Sequence, residues 1–322
     1  MNNNNVTGLF SFINQLGKET IDTALPLFKI MIPVSIIVKL LDLVGGVTFI
    51  GRLIAPVMNI VGLPGEMGLV WASAMITNIY GGLIVFITVA EDVVLTTADV
   101  TILTSMILVA HSLVVEVTIA KKAGVRVWFT LLLRIGGALL FGFLLHYFFV
   151  VTQILQNPAV IVWQPEPKNA SLLSWIGGQL QNYVLIFTVI FLLLFLMKVL
   201  KKYGLLDQIN TFLEPGLEKI GMSKHAAPLT IIGLTLGISY GGGLIIKQAR
   251  SGMLSAKDAF LSVSLMGLSH SLIEDTLLML TMGGSLIGIL FGRVFFTIFI
   301  MLILIRVLKR LKKDQFNRYL YS

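Results

Sequence analysis

The chain has 322 residues, 56% of them hydrophobic and 12% charged, with 24 Lys and Arg against 16 Asp and Glu for a net charge of +8. Ordinary soluble domains carry about 25% charged residues, so this composition excludes one and places the chain in a bilayer. The basic residues cluster at the ends of apolar runs, as cytoplasmic loops do, which excludes a nucleic-acid partner; the absence of cysteine excludes disulfides, thiolate metal sites and cysteine nucleophiles.

In chain order, residues 1–24 begin polar and Asn-rich without the layout of a signal peptide. Leu9, Phe12, Ile13 and Leu16 share one helical face, so this arm is expected to lie along the membrane surface. Residues 25–44 read as a first span, and Val44 to Gly62 as a short interfacial helix. Glu66 to Val94 is apolar but interrupted at Tyr80-Gly81-Gly82. Asp99 to Ala120 and Val127 to Val151 read as further spans, separated by the basic loop 121–126. A polar, proline-bearing connector over 153–183 is expected outside the cytoplasm. The order then recurs: a span from Val184 to Lys202, an interfacial segment from Leu205 to Gly221, and a segment from Ala226 to Arg250 broken at Tyr240-Gly241-Gly242-Gly243. Two spans follow, Asp258 to Leu280 and Ser285 to Val307, before a basic tail over 310–322.

The recurrence is a duplication. Sliding the sequence by 159 places superposes Phe28 on Phe187, Lys39 on Lys198, Pro56 on Pro215, Gly62 on Gly221, Asp99 on Asp258, His111 on His270, Glu116 on Asp275 and Arg134 on Arg293. A period of this kind defines the architecture before any local reading, and it divides the chain into repeat 1 (25–152) and repeat 2 (184–309).

Charge and parity then fix a topology. If the two glycine-interrupted segments crossed fully, the basic cluster from Lys198 to Lys224 would face away from the basic C-terminus, against the positive-inside tendency. If they enter and return as re-entrant hairpins, 19 of the 24 basic residues lie on the cytoplasmic side. Each repeat then has three crossings, an odd number, so the two are inverted. The expected fold is an all-α polytopic membrane protein of two inverted repeats, each with three transmembrane helices, an interfacial helix and a re-entrant hairpin. Its expected place is the bacterial inner membrane, with the C-terminus cytoplasmic. Broken helices at matching positions of two repeats point to a transporter with its site near the midplane; glycines that merely let helices pack closely are the plainer alternative.

Ionisable residues inside a bilayer cost about 2.5 to 3.5 kcal/mol each on insertion scales and need a reason. Glu116 with Arg134, and Asp275 with Arg293, fall at matching depths on adjacent helices and read as structural ion pairs. On a continuous helix His111 and Glu116 are about 140° apart, so the histidines are expected to face away from the acids. Glu274, whose counterpart is Val115, is expected one turn beyond His270 on the same face. His270 and Glu274 then form the core of a substrate or coupling-ion site. Asn78, Tyr80, Ser112, Ser239, Tyr240 and Ser271 complete it with His111. Asp99 and Asp258 read as helix caps. His111, His270, Glu274 and Asp275 are the donors on an alternative metal reading. No phosphate loop, His-Glu-x-x-His helix or nucleophile elbow is present, so no enzyme and no cofactor are expected, and energy is left to a coupling ion, H⁺ or Na⁺.

The two Tyr-Gly-Gly breaks, the segment Ser269-His270-Ser271-Leu272-Ile273-Glu274-Asp275 and the duplicated plan resemble the nucleoside-recognition, or Gate, domain family of membrane proteins. That family includes spore maturation proteins A and B, with related domains in concentrative nucleoside transporters and ferrous iron transporter B. The resemblance, over residues 25–310, implies discontinuous helices and hairpins around a central site, and makes a nucleoside-like solute the leading expectation. Divalent metal transport, and a non-transporting membrane scaffold or gating subunit for a partner protein, are the alternatives. Membrane lipids and a homo-oligomeric partner complete the expected contacts.

Overall fold

The computed structural model describes the chain except residues 1–2, 91–92, 164–170 and 220, with side chains described from residue 12 onward, that of Ser239 excepted. Among the described residues there is no strand, only helices and two isolated bridges. The protein is an all-α polytopic membrane protein. Five helical stretches are long and apolar enough to cross a bilayer: Phe12–Leu43, Thr97–Lys122, Val127–Thr152, Leu172–Lys202 and Ile287–Arg310.

Repeat 1 starts with α1 (Asn3–Leu43). At 41 residues this helix is about 60 Å long, so the expected surface arm and first span are one continuous element. Lys198 binds Glu19 at 2.9 Å and Phe12 packs edge-on against Phe195, which fastens the arm's end to repeat 2. The amphipathic α2 (Gly46–Ile60) follows, then α3 (Glu66–Ile76) and α4 (Ile79–Val89). The last two have 11 residues each, about 16 Å and so half a bilayer, and they pack against each other. α5 (Thr97–Val109) is closed by a capping box between Thr96 and Asp99. It breaks at Ala110 to Ser112 and resumes as α6 (Leu113–Lys122). α7 (Val127–Leu131) runs through a π-helical turn, Leu132–Gly136, into α8 (Gly137–Thr152).

Repeat 2 follows the same plan. α9 (Leu172–Lys202) begins inside the expected connector; α10 (Leu205–Lys219) is its amphipathic helix. α11 (Ala226–Leu236) and α12 (Ile238–Arg250) form the second hairpin. α13 (Ala256–Leu268) is capped by Ser255, whose hydroxyl bonds Asp258. After a break at Ser269 to Ile273 comes α14 (Glu274–Thr281). A π turn, Ile287–Gly292, leads into α15 (Arg293–Arg310), and α16 (Lys313–Tyr319) ends the helical chain.

The glycine runs are not the breaks. Tyr80, Gly81 and Gly82 lie in the first turn of α4, and the chain turns just before them, where Asn78 caps α4 by accepting from the Gly81 amide at 2.9 Å. In the second hairpin the turn is Gly237, at φ +98°, a conformation that side chains resist. The glycines serve close packing instead: a Cβ at Gly241 would sit 2.4 Å from the Gly233 backbone, and one at Gly82 would sit 2.7 Å from the Ala74 methyl.

Two apolar cores divide the molecule. One joins the first hairpin, α5 and α8 to Trp163 of the connector and to Leu278, Met279 and Met282 around the end of α14. The other joins the second hairpin and α13 to Ala120, Val125 and Phe129 of repeat 1 and to the tail. The start of α5 meets the end of α14, where the Ser285 amide donates to Thr101 Oγ1 at 2.9 Å, while α6 packs against α12. The two equivalent broken helices therefore run through the protein in opposite directions. The tail folds onto the basic loop of repeat 1: the Arg126 amide donates to Leu320 O, the Ser322 amide to Gly124 O, and Trp128 Nε1 to Tyr319 O. Burial in this contact raises the Tyr321 pKa.

Candidate functional site

The breaks at Ala110 to Ser112 and Ser269 to Ile273 face each other at the centre. At each, a serine leaves the helical region: Ser112 and Ser271 adopt φ +48° and +47°, left-handed values that stop an α-helix. A helix that stops leaves carbonyls without partners. Those partners are the buried arginines. Arg134 Nε donates to Val109 O at 3.0 Å, Arg293 Nε to Leu268 O at 3.1 Å, and Arg293 Nη2 to His270 O at 2.8 Å. Positive charge at a helix C-terminus also complements the helix dipole. The breaks are latched to the hairpins as well, through Ser112 N to Ala74 O at 2.9 Å and Leu272 N to Leu234 O at 2.8 Å.

The breaks carry His111 and His270, each buried, with Nε2 atoms 3.1 Å apart. Equivalent residues of two repeats that touch through the same atom make a self-complementary contact, the signature of a two-fold relation. Each Nδ1 lies 2.9 Å from a carbonyl four residues back, Ile107 O and Met266 O. A carbonyl only accepts, so each Nδ1 carries the hydrogen and each Nε2 is turned toward the centre.

The acids come to the same place. Glu116 Oε1 lies 3.6 Å from both Nε2 atoms, and Asp275 Oδ2 lies 4.0 Å from that of His111 and 3.9 Å from that of His270. The expectation that the histidines face away from the acids assumed continuous helices; the breaks re-aim the chain and remove the 140° separation. Glu116 is ion-paired with Arg134 as expected. The expected Asp275–Arg293 pair is not formed: Arg293 is spent on carbonyls, and among the described residues no lysine or arginine nitrogen lies within 4 Å of the Asp275 carboxylate.

The remaining site residues scatter around this centre. Tyr80 is buried, with Glu274 and Asp275 the charges that act on its phenol. Glu274 starts α14, partly buried, and has no contact within 4 Å of His270 Nε2. Asn78 is occupied as a cap. Tyr240 is 70% exposed on α12, whereas Tyr80 is 6% exposed on α4. Ser112 and Ser271 hold the breaks, and Ser271 Oγ packs at the Gly237 turn. The Ser239 side chain lies outside the described residues.

Sequence reasoning missed Ser269 and Thr297. Their hydroxyls are buried without a hydrogen-bond partner and border a recess of about 370 Å³ whose walls include Leu234, Leu265, Leu272 and Met301. Their counterparts at the 159-residue shift are Ala110 and Ala138, so the hydroxyls belong to repeat 2 alone. That asymmetry between repeats was the available signal.

Residues 183–286 match the Gate family, described as nucleoside recognition. The chain is 28% identical over 272 residues to the uncharacterized membrane protein YvoD of Bacillus subtilis (strain 168), covering 81% of this chain and 83% of that one. No solved structure matches. The match takes in the second hairpin and the segment from Ser269 to Asp275 that first showed the resemblance. The chain is thus an integral membrane protein whose residues 183–286 are similar to the Gate family, described as nucleoside recognition.

Proposed function

We propose that the protein is a secondary transporter of a small polar solute, with its two repeats inverted across the bacterial inner membrane and the C-terminus in the cytoplasm. The observation that carries this reading is the unequal setting of the two hairpins. Ten of the 11 residues of α4 are buried under α1, while α12 has no such cover from α9 and leaves Tyr240 exposed. In an inverted-repeat carrier, exchange of two such environments converts a state open on one side into its mirror, around a fixed midplane site.

The solute is read as nucleoside-like, the class that the matched family's description points to. The recess bordered by Ser269 and Thr297 supports this. It falls in the usual size range of small-molecule sites, about 300 to 1,000 Å³, and pairs apolar walls with the unpartnered hydroxyls of Ser269 and Thr297. Purified protein in proteoliposomes, given labelled nucleosides under an imposed proton or sodium gradient, tests the reading. Accumulation that disappears in His270→Gln is expected. A folded protein that moves no solute under either gradient would instead be the scaffold or gating subunit.

A further inference from the structure

We propose that His111, His270 and Asp275 form a binding site for one divalent first-row transition cation, with Glu116 beside it. Taken as the coupling or cargo site this rests on the transport reading above; taken as a binding site it does not.

Both Nδ1 atoms are committed to carbonyls, so two imidazole lone pairs meet 3.1 Å apart. They repel unless a positive centre joins them. A proton between the two nitrogens would account for that one contact. It would leave the acids as ion-pair partners at 3.6 to 4.0 Å from both nitrogens, too long for hydrogen bonds. A shared cation would join the two nitrogens and the Asp275 carboxylate. The point equidistant from His111 Nε2, His270 Nε2 and Asp275 Oδ2 lies about 2.2 Å from each, close to the metal–nitrogen and metal–oxygen bond range of about 2.0 to 2.2 Å. The three ligand atoms lie within 4.8 Å of one another.

Asp275 is the second, independent sign. It is 5% exposed, and no arginine or lysine reaches it, while its counterpart Glu116 has Arg134. A buried carboxylate that stays ionised is paired or binds metal. The carbonyls that hold each Nδ1–H orient the ligating nitrogens, as outer-shell acceptors do in metal sites. Imidazole with carboxylate and no sulfur suits Mn²⁺, Fe²⁺, Co²⁺ or Zn²⁺ rather than Cu⁺. The charged groups around the site are Glu116, Arg134 and Arg293, with Glu274 and Tyr80 beyond Asp275. Glu116 and Arg134 compensate each other, while Arg293 is bonded to carbonyls and acts on Asp275 only from beyond 4 Å.

Binding of Mn²⁺ and Zn²⁺ to the full chain in nanodiscs, by calorimetry and by elemental analysis after dialysis, tests this without any measurement of flux. One ion per chain is expected. Affinity should fall at least tenfold in Asp275→Asn and in His111→Gln/His270→Gln, and hold in His146→Ala/His225→Ala, which removes the other two histidines. Thermal unfolding without metal shows whether each variant is folded; should one of the central variants fail to fold, the other carries the test. No saturable binding, binding unchanged by the central variants, or uptake of a proton in place of any metal would overturn the site.

Discussion

Each buried charge at the centre has a named job, and the jobs differ between repeats. Arg134 pairs with Glu116 and caps α5; Arg293 caps α13 through two carbonyls and leaves Asp275 without a close cation. Removing one member of a buried pair costs about 3 to 5 kcal/mol, since the other charge is stranded, whereas replacing both by apolar residues recovers much of it. Arg134→Leu should therefore lower thermal stability severely, and Glu116→Leu/Arg134→Leu should restore part of the loss; equal midpoints for the two variants would remove the pair from the account. If the recess bordered by Ser269 and Thr297 holds the solute as proposed, Ser269→Ala and Thr297→Ala should each raise KM severalfold with kcat little changed, because each hydroxyl would contribute about 0.5 to 1.5 kcal/mol of binding. Unchanged KM in both would move the solute elsewhere. The identities of these charged residues were legible in the sequence, from their cost in a bilayer and their 159-residue spacing. Their geometry was not: with Ser112 and Ser271 taken as ordinary helical positions, Glu274 looked closer to His270 than Asp275 is.

At the scale of elements, the hairpins depend on glycine for approach rather than for disorder. Gly241→Ala would drive a methyl into the Gly233 backbone, while Gly243 has nothing within 4 Å of a built Cβ. Overpacking of this kind costs about 1 to 3 kcal/mol, so Gly241→Ala should lower the unfolding midpoint and Gly243→Ala should leave it or raise it slightly. The reverse order would mean that α11 and α12 do not cross as described. Breaks at Tyr80 and Tyr240 were read from glycine's poor helix propensity, about 1 kcal/mol per residue relative to alanine. In α4 that cost is outweighed by the burial of Ile79, Leu83, Ile84 and Phe86 and by the Asn78 cap, and the turn moves to the residues just before. The caps at Thr96–Asp99 and Ser255–Asp258 were legible because capping is local. The joining of the arm to α1 was not, because it depends on packing against α9 through Phe195 and Lys198.

Over the whole molecule, the duplication accounts for the centre: two copies of one broken helix pass in opposite directions and meet at their histidines. Segments that charge counting assigned to one side are found together. The tail covers the loop from Lys121 to Arg126, and the Lys198 end of α9 is tied to Glu19. The connector sits at the other end of α5, where Val162 N donates to Thr281 O and Trp163 Nε1 to Thr281 Oγ1. These contacts show which segments are neighbours; the sidedness expected from charge and parity awaits labelling. The unequal cover of the two hairpins was not legible, since a duplicated sequence carries no sign of which copy is the more covered.

Cysteine accessibility in sealed vesicles tests the inverted, hairpin-bearing architecture most directly, since the chain has no cysteine of its own. Single cysteines at Lys224 and Met253 flank the second hairpin, and at Asn59 and Val94 the first; all four positions are exposed. The account has Lys224→Cys and Met253→Cys labelled from one face of the membrane, and Asn59→Cys and Val94→Cys from the other. Labelling of the two flanks of either hairpin from opposite faces, or of both hairpins from the same face, would contradict it.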